Sequence, residues 1–356
     1  MFKRCLASAV VAASVATLAW AAADTGWRDV LDTPALKSPL AQRTLVNGLA
    51  RSGERLVAVG QRGHVLLSDD QGKSWRQAEV PVSSDLVAVT FPSADQGWAV
   101  GHDGIVLRST DAGATWTRVL DGRQAGALMV DYYQREAANA GDAARAAALL
   151  KEAERFAAQG AENPFLDVAF ENAKTGYLVG AFGVILRTTD GGASWQPLLH
   201  ATENPKALHL YAVRSVGGET YIAGEQGLLL KLDRGTGQFR ALELPYKGTL
   251  FGVIGNDRAV LVHGLRGTVL RSADAGRSWQ AVNTGLQVGL TASSIDAQGR
   301  IVIVSQAGHA LLSRDDGASF ALAKTDKSAP AAAVAIVGPS GLVVGGPRGV
   351  SPLTLQ

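Results

Sequence analysis

One eight-residue phrase recurs along the chain and constrains its architecture more than any other feature. The clearest copy is STDAGATW at residues 109–116, and the pattern S/T-x-D-x-G-x-[ST]-W/F occurs five times. A sixth copy at residues 231–239 carries one extra residue. The six aspartates are separated by 41, 79, 43, 41 and 41 residues, and they are Asp70, Asp111, Asp190, Asp233, Asp274 and Asp315. A period of about 41 residues, interrupted once, is typical of a closed radial array.

The residue types within the phrase predict a turn rather than a reactive site. A carboxylate shortly before a glycine accepts backbone N–H bonds, and the glycine adopts the positive φ that other residues resist. The aromatic residue that closes the phrase is predicted to pack into the core, as at Trp75, Trp116, Trp195 and Trp279. Catalytic or metal-binding carboxylates would have to converge, whereas a radial repeat spreads them around a periphery.

Each repeat contains four short apolar segments, which in the second repeat are residues 86–91, 97–101, 105–109 and 116–120. They are rich in β-branched and aromatic residues and are bounded by Gly, Asp or Pro, as strands are. A G-x-x-G turn marks the second-to-third-strand connection six times, and residues 305–308 form a seventh variant. The predicted fold is therefore all-β, a seven-bladed β-propeller of four-stranded blades.

The amino terminus is typical of an exported protein. Residues 1–21 combine a basic start, an apolar run and a small-x-small cleavage pattern, which predicts a signal peptide. The remaining residues, 22–356, contain no cysteine and carry 32 basic and 32 acidic residues. These features exclude disulfides and thiol catalysis and give no indication of nucleic-acid binding. We expect a periplasmic or secreted monomer without a transmembrane anchor.

The seventh repeat stops before its fourth strand, and residues 26–31 match the sequence pattern of the fourth strands in other repeats. We therefore expect that the segment near 26–31 closes blade 7, because pairing the two ends of the chain would leave no open sheet edge.

The one long step between aspartates predicts an insertion over residues 122–163, between blades 2 and 3. Its composition favours helices over residues 124–140 and 142–159, with Leu149, Leu150 and Phe156 on one apolar stripe. The insertion should emerge on the face that carries the second-to-third-strand turns. Two interpretations stay open: the helical hairpin packs on the propeller, or it is a docking arm.

The repeated phrase resembles the Asp-box, or BNR repeat, known from sialidases. The longer wording at residues 101–116 and 180–195 is more similar to the photosystem II stability/assembly factor family, in its bacterial non-photosynthetic branch. That resemblance implies an exported seven-bladed propeller that assists assembly of a membrane or envelope complex by binding a protein partner, without catalysis or a cofactor. The alternative is a sialidase-like glycoside hydrolase or a carbohydrate-binding protein.

The sequence contains candidate tyrosines for a sialidase, at Tyr177, Tyr211, Tyr221 and Tyr246, but lacks the family's arginine-rich motif before the first Asp-box. The histidines lack metal-ligand spacing. We therefore predict no catalytic, metal or cofactor residues.

Four basic residues occupy one equivalent position on consecutive third strands, and they are Arg108, Arg187, Lys231 and Arg271. One interpretation is a repeated salt bridge, or a side-chain stem that lies along the blade surface. The other is a basic arc that binds an acidic segment of a partner, in keeping with the resembled family's use of surface arginines.

Overall fold

The computed structural model describes residue 26 and residues 28–138 and 141–356. In these residues seven antiparallel sheets form a ring, six with four strands and one with three. First strands of neighbouring sheets pack side by side, and the ring closes where blade 1 meets blade 7. The prediction of an all-β, seven-bladed propeller is confirmed.

The first three blades comprise β1 (Val46–Ser52), β2 (Arg55–Gly60), β3 (Val65–Ser68), β4 (Arg76–Gln77), β5 (Leu86–Thr90), β6 (Gly97–Gly101), β7 (Val106–Ser109), β8 (Thr117–Leu120), β9 (Phe165–Phe170), β10 (Gly176–Gly180), β11 (Ile185–Thr188) and β12 (Gln196–Pro197). Blades 4 and 5 comprise β13 (Leu210–Val216), β14 (Glu219–Gly224), β15 (Leu229–Asp233), β16 (Gln238–Ala241), β17 (Leu250–Asn256), β18 (Ala259–Gly264), β19 (Val269–Ser272) and β20 (Gln280–Val282). The last two comprise β21 (Leu290–Ile295), β22 (Ile301–Ser305), β23 (Ala310–Ser313), β24 (Ala321–Leu322), β25 (Ala333–Val337), β26 (Gly341–Gly346) and β27 (Gly349–Thr354).

The second strands of the blades are among the most deeply buried segments of the chain. Every residue of β6, β10, β18 and β22 is buried. Because neighbouring blades cover both faces of these strands, their sequences are continuously apolar rather than alternating.

The glycine-spaced turns follow from close backbone approach. In blade 1, both Arg62 and Gly63 have positive φ, 58° and 69°, as type I′ turns require. A Cβ on Gly60 would lie 2.0 Å from the Leu45 carbonyl oxygen, and one on Gly63 would lie 2.2 Å from the Val82 carbonyl oxygen. Only glycine fits either position. We call the surface that carries these seven turns the turn face.

The insertion forms two helices, α1 (Gly122–Ala138) and α2 (Ala143–Ala158), close to the predicted ranges. Asp142 caps α2, since its Oδ1 accepts a hydrogen bond from the Arg145 N–H at 3.0 Å. The hairpin starts at the turn face, where Gly122 contacts the blade 2 turn at Gly104. This is the predicted position between blades 2 and 3.

The hairpin is packed into the groove between blades 2 and 3. Five of its side chains share a core cluster with Trp98, Phe165 and Trp195, and they are Ala125, Met129, Tyr133, Ala153 and Phe156. Leu149 and Leu150 are half-buried against the same cluster. Phe156 is 4% exposed, so its ring is not available on the surface. These contacts are those of a hairpin that packs on the propeller, and binding of a partner by Leu149, Leu150 or Phe156 stays a prediction.

The prediction that residues 26–31 close blade 7 is wrong. Val30–Asp32 is a 3₁₀ turn, and Leu31 is buried between blades 1 and 2. The chain then runs along the outer edge of blade 1, where the Ala35 N–H donates to the Val80 carbonyl at 3.1 Å. Asp32 holds the segment there through ion pairs with arginines of blade 2 and α1. Trp27 and the predicted signal peptide, residues 1–21, lie outside the described residues.

Candidate partner-binding surface

The aspartate turns use their carboxylates internally. In blade 3, Asp190 Oδ1 accepts hydrogen bonds from the Ser194 N–H at 2.9 Å and the Thr188 hydroxyl at 2.8 Å. Asp190 Oδ2 accepts the Ser194 hydroxyl at 2.5 Å. These bonds, led by the Ser194 hydroxyl, lower the pKa of Asp190 to about 2. Asp70, Asp111, Asp274 and Asp315 accept equivalent bonds, and Asp233 a reduced set. The carboxylates face their own turns rather than a shared site.

The tryptophans after the aspartates fill the grooves between blades. The Trp116 indole N–H donates to the Gly113 carbonyl at 2.9 Å, and its ring packs against blade 1. Trp75 and Trp279 make the same bond within their turns. Trp195 packs edge-on against Trp98 of blade 2, with ring centroids 5.9 Å apart. The residue types predict this arrangement, a tight turn followed by an aromatic side chain that packs into the core.

The four basic residues of the third strands lie half-buried between blades. Lys231 Nζ and Arg271 Nε each donate to a backbone carbonyl in the aspartate turn of the next blade, at 2.9 and 2.8 Å. The Arg108 guanidinium lies 5.5 Å from the Trp98 ring centroid. Arg187 Nε is buried and has no hydrogen-bond partner among the described residues. The contacts of Lys231 and Arg271 join neighbouring blades, and binding of a partner by the four basic residues stays a prediction.

The candidate catalytic tyrosines differ in placement. Tyr177 and Tyr221 are buried under the next blade, and burial raises the pKa of each to about 12. The Tyr246 hydroxyl donates to the Leu265 carbonyl at 3.0 Å. Within the described residues, no group of three or more His, Cys, Asp or Glu side chains could hold a metal ion. The described helices include none that is long and apolar enough to cross a membrane.

A row of ring side chains crosses the turn face from blade 3 to blade 5. Its centroid separations are 4.8 Å from Phe182 to His209, 6.3 Å from His209 to Tyr211 and 5.5 Å from Tyr211 to Phe251. We call these four residues the aromatic row. Tyr211 and Phe251 are second residues of the first strands of blades 4 and 5, and all but Phe182 are half-buried.

Phe182 is the most unusual member of the aromatic row. It is 41% exposed and has a φ of 53°, which bulky side chains rarely adopt. The equivalent turn positions with positive φ hold polar residues, namely Arg62, Asp103, Gln226 and Arg266. Its N–H donates to His209 Nδ1 at 2.7 Å, and the Arg155 guanidinium of α2 lies 5.6 Å from its ring centroid. Strained and exposed aromatic residues concentrate at functional sites.

Sequence reasoning did not identify the aromatic row. The pattern does contain a signal, because Tyr211 and Phe251 occupy one equivalent position in consecutive repeats. Their proximity to Phe182 depends on the ring arrangement of three blades. The row and the adjoining end of α2 make the turn face beside blade 3 the candidate partner-binding surface.

Comparison with solved structures places the fold among β-propellers. The chain is similar to a structure titled "YCF48 bound to D1 peptide", with 15% identity, a TM-score of 0.61, and coverage of 92% of this chain and 99% of the other. For YCF48 from Cyanidioschyzon merolae the values are 18%, 0.60, 89% and 97%. The WD40 propeller of Doa1 matches with 10% identity and a TM-score of 0.61, covering 91% of this chain and 95% of that one. At these identities the likeness shows the fold alone.

Sequence comparison is more selective. The Photosystem II assembly lipoprotein Ycf48 of Synechococcus sp. (strain CC9902) is 32% identical over 151 residues, which are 41% of this chain. The match spans 45% of that relative's length, so it covers less than half of the relative. The model of the family described as Photosynthesis system II assembly factor YCF48 matches residues 38–130 and 150–323. The unmatched residues between these ranges lie within the helical hairpin. Because the model covers most of the chain, this protein belongs to the YCF48 photosynthesis system II assembly factor family.

Proposed function

We propose that this protein is an exported, non-enzymatic propeller that binds a protein partner and serves as an assembly or stability factor for a membrane or cell-envelope complex. Family membership supports an assembly role, and one structural neighbour is YCF48 bound to D1 peptide. The observation that carries the proposal for this chain is the aromatic row, in which the exposed ring of Phe182 continues into three half-buried rings of blades 4 and 5.

The aromatic row has the chemistry of a protein contact. Aromatic side chains dominate the binding energy of many protein interfaces because they remove large areas from water at a small entropic cost. Phe182 presents its ring to solvent, while Tyr211 and Phe251 extend the surface across the turn-face ends of blades 4 and 5. A partner segment laid across the turn face would contact all three rings and the cationic end of α2 at Arg155.

The proposal of a non-enzymatic role has its own support. The aspartates of the repeated turn accept hydrogen bonds within their own turns, as Asp190 and Asp274 do. Two of the four candidate tyrosine nucleophiles, Tyr177 and Tyr221, are buried with raised pKa values. General-base or nucleophilic work needs groups that reach a substrate.

The test is capture of the partner from envelope extracts by crosslinking, with wild-type protein and the Phe182→Asn variant. Asparagine tolerates positive φ, so the substitution removes the ring without adding backbone strain. We expect capture to fall by at least roughly tenfold, as for an aromatic hot spot, with an unchanged melting temperature. Gln226→Asn is the matched control, because Gln226 occupies the same turn position in blade 4 with the same φ of 53°.

Equal capture by wild type and Phe182→Asn would remove the aromatic row from the contact surface. Failure of the wild-type protein to recover any membrane or envelope protein would contradict the assembly role itself. Turnover of a sialoside by the wild-type protein would favour the glycosidase alternative instead.

A further inference from the structure

The outer edge of blade 7 presents backbone groups that the other blades use for their fourth strands. In blade 7, β27 pairs with β26 on its inner side, and Ser351 and Leu353 are opposite Val344 and Leu342. The backbone N–H and carbonyl of Thr354 face away from β26, since the N–H donates to Asp326 Oδ1 at 2.8 Å and the carbonyl accepts the Asp326 N–H at 3.2 Å. Because these groups alternate along an antiparallel strand, the backbone groups of Val350 and Pro352 also face the outer edge.

The geometry of the other blades shows what such an edge accepts. In four of them the N–H of the residue that directly follows the fourth strand donates to the carbonyl of the first residue of the third strand, at 2.8–3.0 Å, as from Ala78 to Val65 in blade 1. The Val350 carbonyl is in the corresponding place in blade 7. Among the described residues, no strand pairs with Val350 or Pro352 on this edge, and only an isolated antiparallel bridge between Thr325 and Leu355 lies at its far end.

A cleft of about 500 Å³ opens beside the same edge, and it is lined by Gln42, Arg43, Pro347, Arg348, Val350 and Ser351. Its position corresponds to residues 79–81 of blade 1. There the Val82 carbonyl lies over Gly63, and in blade 7 the Gln42 carbonyl lies over Gly349 in the same way. The cleft is therefore the space that a fourth strand would enter after passing Val350.

The cleft is positively charged. Arg43 and Arg348 are exposed, and neither forms an ion pair with any residue in the described part of the chain. Fourth strands run antiparallel to third strands, so the carboxyl-terminal end of an incoming strand would reach the two guanidinium groups. Arginine is the side chain best suited to bind a carboxylate in this setting.

We propose that the β27 edge and the Arg43/Arg348 cleft together bind an extended peptide segment of a protein partner. The segment adds a short antiparallel fourth strand to blade 7 and places a carboxylate just beyond that strand. This mode is β-strand addition, in which main-chain bonds give affinity and side-chain pockets give specificity. The inference rests on the proposed function, since it assigns the partner a binding mode.

Pro352 limits this edge to a short strand. It supplies a carbonyl but no N–H, so it removes one donor that a longer incoming strand would use. The next outward-facing backbone N–H and carbonyl, those of Thr354, are already bonded to Asp326. An edge blunted in this way accepts two or three residues and resists extended edge-to-edge association.

The direct test uses a fluorescein-labelled peptide with the sequence of residues 75–80, Trp-Arg-Gln-Ala-Glu-Val, as an amide at its carboxyl terminus. In blade 1 the alanine of this segment donates to the Val65 carbonyl, and a glutamate follows it. Fluorescence anisotropy should show saturable binding to the full chain. N-methylation of the peptide alanine, which removes the N–H, should weaken binding roughly 3- to 10-fold.

The charge contribution is tested by a double-mutant cycle. The R43Q/R348Q variant should bind the probe roughly 3- to 10-fold more weakly, and replacing the probe's glutamate by glutamine should have no further effect on that variant. R266Q is the matched control, because Arg266 is an exposed turn residue of blade 5. A free-acid probe distinguishes a terminal carboxylate from the side-chain carboxylate as the group that the arginines bind.

A gain of affinity excludes misfolding as an explanation. Pro352→Val restores the missing donor, so this variant should bind the probe more tightly than wild type by roughly 2- to 5-fold. Absence of binding to wild type would overturn the proposal, including the case in which residues outside the described part of the chain occupy the edge. Binding that is unaffected by both Pro352→Val and R43Q/R348Q would overturn it as well.

A final comparison separates this inference from the proposed function. If R43Q/R348Q captures the envelope partner as well as wild type does, the strand-addition site is refuted and the assembly role stands. If wild type captures no partner, the assembly role fails irrespective of the peptide result.

Discussion

Replacing Phe156 by alanine tests whether the helical hairpin is part of the cooperative fold. The Phe156 ring is 4% exposed and shares a cluster with Trp98, Met129 and Trp195. Full burial of a phenylalanine side chain removes about 150–200 Å² from water, or roughly 4 kcal/mol at about 25 cal/mol per Å². Alanine retains part of this area, and the hairpin lies at the rim where it can relax around a cavity. We expect a loss of about 3 kcal/mol in the free energy of unfolding.

The assay is urea denaturation followed by tryptophan fluorescence, with a thermal melt by circular dichroism. For a domain of this size, a loss of about 3 kcal/mol lowers the melting temperature by roughly 4–6 °C. Leu149→Ala is the control, because Leu149 is half-buried on the same hairpin and should cost about 1 kcal/mol. A Phe156→Ala variant that unfolds with the wild-type midpoint would refute the reasoning and make the hairpin an independently moving element.

Three further predictions concern the ring itself. Hydrogen bonds from a serine of its own turn lower the pKa of Asp190 to about 2, below the ordinary value of 3.8, so its contribution to stability is present above pH 4 and is lost as the pH falls toward 2. Melting temperatures between pH 5 and 2 should follow that window, and the Asp190→Asn variant should show a shallower dependence, because only the contribution of Asp190 is removed and the equivalent aspartates of the other blades keep theirs. Gly192→Ala should cost about 3 kcal/mol or more, because its Cβ would lie 2.1 Å from a ring carbon of Trp98, whereas Gly218→Ala, also at positive φ but in open space, should cost about 1 kcal/mol by chemical denaturation. Arg214→Met should cost about 3–5 kcal/mol, since it leaves the buried Asp167 carboxyl without its cation. A melt equal to wild type would contradict that last expectation.

The regular part of the fold was predictable because the repeat supplies the same evidence several times. In blade 2 the predicted segments 86–91, 97–101, 105–109 and 116–120 agree with the observed strands within one residue at either end. Each segment has local causes, such as β-branched residues between glycines and a self-contained turn at Asp111. Local causes of this kind are visible in a sequence.

The misplaced segment shows where local reasoning fails. Residues 26–31 resemble a fourth strand in wording, but their position depends on distant partners. Leu31 enters the groove between blades 1 and 2, and Asp32 bonds to Arg118 and Arg123, about 90 residues further along the chain. The aromatic row could not be predicted from the sequence for the same reason, because its members come from three blades and meet only in the tertiary structure.

The described blades share a simple relation to the chain: each is built from one contiguous stretch, and none takes a strand from the opposite end. Contacts within a blade therefore close loops of only about 40 residues, and the long-range step of folding is the docking of blade 7 on blade 1. Short loops have a small closure entropy, so low contact order favours fast, sequential folding. We expect the blades to form in order as the chain emerges, with no early blade waiting for a strand that is made last. The seam between blades 7 and 1 would then be the last to form and the first to open.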